Sequence, residues 1–90
     1  MAILATVVIA SADKENAIEA MDSACGYSGS FTYGNNLTIE LTDGTNAFWA
    51  MSGWVDNRAL KAIINNNHVH YVGFEEPIEV ATEEAGLSLA

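Results

Sequence analysis

Residues Ala47–Val55, reading Ala-Phe-Trp-Ala-Met-Ser-Gly-Trp-Val, hold both tryptophans and one of the three phenylalanines of the chain, with no charged side chain. The run follows a turn signal at Asp43-Gly44 and reads as a central strand. Successive side chains of a strand point to opposite faces. Trp49, Met51 and Val55 therefore share one face, and Phe48, Ala50, Ser52 and Trp54 share the other. Both faces are apolar, so the sheet that contains this strand must be covered on both sides or leave an apolar patch, which soluble monomers generally avoid.

A second run makes the same demand. Residues 3–9, Ile-Leu-Ala-Thr-Val-Val-Ile, are apolar at nearly every position and rich in β-branched side chains, which suits a strand buried on both faces. Leu4 and Val8 oppose Ile3, Val7 and Ile9. The run is too short, and its flank too poor in Lys and Arg, for a secretory leader, so it is expected to remain as a strand. Nothing in the sequence approaches the roughly 20 apolar residues of a membrane-crossing helix.

Between these runs the pattern changes twice. Ser11 suits a helix N-cap, and Asp13 and Glu15 suit the positive end of a helix dipole. Ala17, Ile18, Ala20, Met21, Ala24 and Cys25 then recur as one amphipathic stripe, with Glu15, Glu19 and Asp22 on the other side. Gly26 is placed to end that helix, and residues 26–30 to form a loop. From Phe31 to Thr42 apolar and polar residues alternate, predicting an edge strand with one wet face and a bulge or turn near Gly34-Asn35-Asn36. Asp43-Gly44 supplies the positive backbone angle of a hairpin.

Beyond the second apolar run, Asp56 is a good N-cap for a helix with Ala59, Leu60, Ile63 and Ile64 on its apolar stripe. Asn65-Asn66-Asn67 should stop it through the left-handed conformation that Asn tolerates. Residues 68–74 read as a last strand closed by Pro77. The order strand, helix, strand, strand, helix, strand is that of a ferredoxin-like βαββαβ plait. This is an α+β fold with an antiparallel four-stranded sheet, two helices on one face, and the first and third strands in the middle. Residues 1–76 are expected to form a single domain. Residues 77–90 read as an acidic C-terminal extension, which packs on the domain or on a neighbour.

Charge narrows the partners. Twelve Asp and Glu stand against Lys14, Arg58 and Lys61, giving a net charge of −9. Binding to a phosphate backbone needs clustered Lys and Arg, so no direct nucleic-acid binding and no anionic membrane surface is expected. A basic protein surface or a cation fits better. Cys25 is the single cysteine, which rules out an intrachain disulfide and reads as a reduced thiol in a cytoplasmic setting.

Candidate chemistry is sparse. His68 and His70 lie two apart, the spacing that puts strand residues on one side, and Glu75 or Glu76 stands near enough in sequence to join them at a metal. Zinc or nickel usually needs three or four ligands, and two histidines on a partly covered strand is the simpler reading. Cys25 on an apolar stripe reads as a small core residue. Ser28, Ser30 and Ser52 lack the surroundings of a nucleophile elbow. Gly26, Gly29 and Gly34 follow a helix instead of opening one, the wrong order for a phosphate-binding turn. No catalytic set and no cofactor is expected. A sheet face left open by the helices is the stronger candidate, and Phe48, Trp49, Trp54, Leu4 and Val8, drawn from both sides of the two apolar strands, are the candidate residues of a partner or oligomer interface.

Gly26-Tyr27-Ser28, followed by Asn35-Asn36-Leu37-Thr38-Ile39 and Leu41-Thr42-Asp43-Gly44-Thr45, resembles a pattern in small uncharacterised proteins encoded by tailed phages and prophages. The resemblance covers roughly the first half of the chain. Those proteins often carry a Thr-His pair after the turn where this chain has Ala47-Phe48, so no role of that His carries over. The resemblance implies a phage setting, in the virion or the host cytoplasm. With it, the sequence points to a non-enzymatic assembly or interaction protein, expected to be a homo-oligomer. The rival readings are an acidic inhibitor of a host defence factor that mimics nucleic-acid charge, and a small metal- or ligand-binding module using His68 and His70.

Overall fold

The two apolar runs pair with each other. In the computed structural model, which describes residues 3–25 and 31–90, strand β1 (Ile3–Ala10) runs antiparallel to strand β3 (Ala47–Val55), from Ile3 opposite Val55 to Ala10 opposite Phe48. Around them the chain places α1 (Lys14–Cys25), β2 (Phe31–Thr42), α2 (Asn57–Ile64), β4 (Val69–Phe74), α3 (Ile78–Glu84) and β5 (Ser88–Leu89). The fold is α+β: one open antiparallel sheet in the order β4-β1-β3-β2-β5, with three helices.

α1 and α2 lie on one face. Ala17 and Met21 of α1 and Ile63 of α2 are fully buried against Ala5, Val7 and Ile9 of β1 and Met51 and Val55 of β3. Each buried Val, Ile or Met contributes about 1.5–3 kcal/mol through the apolar surface it removes from water. α1 starts later than its sequence signals suggest. Asp13 caps it, accepting from the Asn16 amide at 2.8 Å, while Ser11 binds back to Asp13 instead of to the helix. A carboxylate two residues closer to the free amides wins over the hydroxyl. Asp56 holds the N-cap position of α2, its carbonyl accepting from the Leu60 amide at 2.9 Å. The Asn run stops α2 without the left-handed conformation, because the Asn66 carboxamide accepts from the His68 amide at 2.8 Å and turns the chain. The expected helix end at Gly26 and the loop at residues 26–30 lie outside the described residues.

The four-stranded sheet with two helices is corrected to five strands and three helices, because the acidic tail folds. Ile78, Ala81, Thr82 and Ala85 recur at helical spacing, and α3 lays Ile78 and Ala85 on the sheet face opposite α1 and α2. Gly86, at φ 75°, ends it: the Gly86 amide donates to the Glu83 carbonyl and the Leu87 amide to the Thr82 carbonyl, both at 3.0 Å. The chain then returns along β2, with Leu89 opposite Leu41 and Ser88 opposite Thr42, so β2 is not the outermost strand. β2 also changes register between Tyr33 and Thr38. Its alternation therefore does not describe a single face: Ile39 and Leu41 belong to the cluster under α3.

Candidate functional site

The face of the sheet covered by α3 contains most of the interface candidates, and it divides into a sealed upper half and an open lower half. In the upper half Val8, Leu41, Phe48 and Ala50 are buried, with Ile78, Ala85 and Leu87 of the tail packed on them. Val8 and Phe48 are thus occupied by the chain's own tail. The His70 ring lies 4.8 Å from the Phe48 ring, and its Nε2 is 3.1 Å from the Ala85 carbonyl oxygen at the end of α3.

The lower half is open. Leu4 and Trp54 are direct cross-strand partners, and Trp54 is 47% exposed although its strand has neighbours on both sides. Between the halves lies a polar seam. Thr6, fully buried, donates from its hydroxyl to the Glu76 carbonyl at 2.9 Å and lies 3.0 Å from the Ser52 hydroxyl. The Tyr71 hydroxyl donates to the Glu76 carboxylate, and chiefly this hydrogen bond raises the Tyr71 pKa above the ordinary value near 10. Glu75, at φ 54°, turns the chain into this seam, and its amide donates to the Leu4 carbonyl at 2.9 Å.

Trp49 lies on the other face, packed against the core under α1 and α2. Its indole N–H is buried with no acceptor among the described residues. The candidate metal residues are not brought together. His68 precedes β4 and lines a cleft beside α1, His70 sits at the register shift between β4 and β1 over Phe48, and Glu75 stands at the far end of β4. Among the described residues no group of three or more His, Cys, Asp and Glu is placed to hold a metal ion. The side chain of Cys25 lies outside the description.

The cleft beside α1 was not legible as a unit in the sequence. It has a volume of about 410 Å³ and is bounded by the end of β1, the first turns of α1 and the link from α2 to β4. No sequence spacing joins Glu19 to His68; tertiary folding does. No described helix is long and apolar enough to cross a membrane. No protein-family model, curated protein or solved structure matches the chain. The arrangement combines an exposed indole on one sheet face with a polar cleft beside α1.

Proposed function

We propose that this is a non-enzymatic assembly or interaction protein of phage type, acting in the virion or the host cytoplasm, which self-associates through the lower sheet face. The observation that carries the reading is Trp54, half exposed on a central strand beside Leu4, just where the cover provided by α3 stops. An exposed indole offers a large apolar area at little entropic cost. The phage setting rests on the resemblance in the first half of the chain. We further infer that the first four strands and two helices are a ferredoxin-like plait to which α3 and β5 are added. The order β4-β1-β3-β2, with α1 and α2 on one face, supports this.

Two copies of a chain with net charge −9 repel each other, so face-to-face association should strengthen as salt screens the carboxylates. Light scattering at micromolar concentration across a salt series tests this. Wild type should associate more at high salt and Trp54→Ser should stay monomeric. A wild-type monomer at every salt concentration removes the reading.

The reading as an acidic inhibitor is favoured by one feature, the exposed Glu79, Glu83 and Glu84 carried by α3. It requires a basic protein partner, and its salt dependence has the opposite sign. Affinity for a basic protein should fall steeply as salt is added.

A further inference from the structure

We propose that the cleft between α1 and the link from α2 to β4 binds a small organic cation carrying a primary ammonium group. This site is separate from the Trp54 face and goes beyond the assembly reading. Ser11, Asn16 and Glu19 line it from the region where β1 passes into α1, and Asn66 and His68 line it from the link between α2 and β4. The two lips are tied to each other and to the sheet. The Ala10 amide donates to the His68 carbonyl at 3.2 Å, the Ser11 amide to the Ala47 carbonyl at 3.3 Å, and the Val69 amide to the Asn66 carbonyl at 3.2 Å. The backbone of the walls is therefore fixed before any ligand arrives, which limits the ordering cost of binding to the side chains that meet the ligand.

Most of the polar groups in the cleft are already committed to local structure. Ser11 donates to the Asp13 carbonyl, the Asn16 carboxamide donates to the Asp13 carboxylate, and the Asn66 carboxamide oxygen accepts from the His68 amide. Among the described residues, the Glu19 carboxylate and the His68 ring have no such partner. A carboxylate only accepts, and a neutral imidazole offers one accepting nitrogen. Together they match a ligand that carries positive charge and several N–H donors. An anion would meet Glu19 and a net charge of −9. A transition metal would find two protein ligands where three or four are the rule. The volume of about 410 Å³ falls within the range of small-molecule sites.

The test is a titration of the full chain, at constant ionic strength, with ethanolamine and separately with tetramethylammonium, followed by the ¹H–¹⁵N NMR signals of residues 10–20 and 66–69. Saturable shifts with ethanolamine and none with tetramethylammonium are expected, because only the primary ammonium donates hydrogen bonds. Glu19→Gln, an exposed position that the fold does not need, should weaken binding about tenfold. Glu83→Gln on α3 should leave it unchanged. Equal shifts with both cations, equal loss in Glu83→Gln, or saturation by zinc but not by the amine would overturn the proposal. Trp54→Ser should bind the amine as wild type does, so failure here and failure of the assembly reading are separately visible.

Discussion

The Tyr71 hydroxyl donates to both carboxylate oxygens of Glu76, at 2.8 and 3.1 Å, and so fastens the start of the tail to the strand it has just left. The Thr6 hydroxyl holds the carbonyl of the same residue at 2.9 Å, which makes Glu76 the point where β1, β4 and the tail meet. The carboxylate raises the pKa of Tyr71 in the folded chain above its unfolded value of about 10. The folded state thus holds this proton more tightly. The contribution to stability is complete below pH about 10 and is lost as the pH rises through the higher folded pKa. Tyr71→Phe should leave the sheet intact and speed amide hydrogen exchange at Ala85 and Leu87, without changing exchange in β1. Its deficit against wild type should shrink in strong alkali, where wild type loses the same bond.

Gly73 offers an independent way to open this lock. A Cβ at Gly73 would collide with the Glu76 carboxylate and come within 3.1 Å of the Tyr71 ring. The carboxylate is the movable partner, so Gly73→Ala should displace it and break the bond to Tyr71 while the strand survives. Local exchange rates in α3 should rise as in Tyr71→Phe, and combining the two substitutions should add little. Full additivity of the two would show that the collision is relieved elsewhere.

Phe48 and Trp54 share a face of one strand and should respond differently to truncation. Phe48 is 6% exposed under the tail, so Phe48→Ala should cost about 3–5 kcal/mol in denaturant unfolding. Trp54 is 47% exposed, and Trp54→Ala should cost well under half as much, about 1 kcal/mol. Equal losses at the two positions would mean that Trp54 is covered in solution, which would bring the association state into the measurement.

The hairpin between β2 and β3 depends on one carboxylate. Asp43 accepts from the Asn46 amide at 2.7 Å and the Thr45 amide at 2.8 Å, and these amides, Asn46 foremost, lower its pKa below the ordinary value of 3.8. Protonation is disfavoured in the folded state, so this stabilisation is present above the ordinary carboxylate range and is lost as the pH falls through the lowered folded pKa. Asp43→Ala should melt below wild type at pH 7. The gap should close in strong acid, as followed by thermal unfolding at the two pH values.

Much of the sheet was readable from the chain because its signals are local. Residues 3–9 and 47–55 announce strands buried on both faces, Asp43-Gly44 announces a hairpin, and Trp49 and Trp54 alternate as a strand requires. The tail was not readable as a helix. Its inner stripe is Ile78, Ala81, Thr82 and Ala85, and such small or hydroxylated side chains give a weak hydrophobic period next to five glutamates. Ala81 and Thr82 are buried because α3 lies against the sheet, a property of the fold and not of the segment. The His68 and Glu19 cleft was hidden for a related reason: its walls are joined by backbone bonds across distant parts of the chain.

The tail crosses from the β4 edge to the β2 edge and makes its last pairing over only two residues of β5. Such a segment can detach as one cooperative unit while the rest stays folded. Its opening exposes Val8, Phe48 and Ala50 together. A partner that needs the whole of this face meets its target only in the fraction of molecules that are open, so its apparent affinity is weakened by that fraction. A partner content with Trp54 and Leu4 meets no such barrier. If this face is the interface proposed above, it would offer two grades of binding, and the strength of the tail's attachment would set the gap between them.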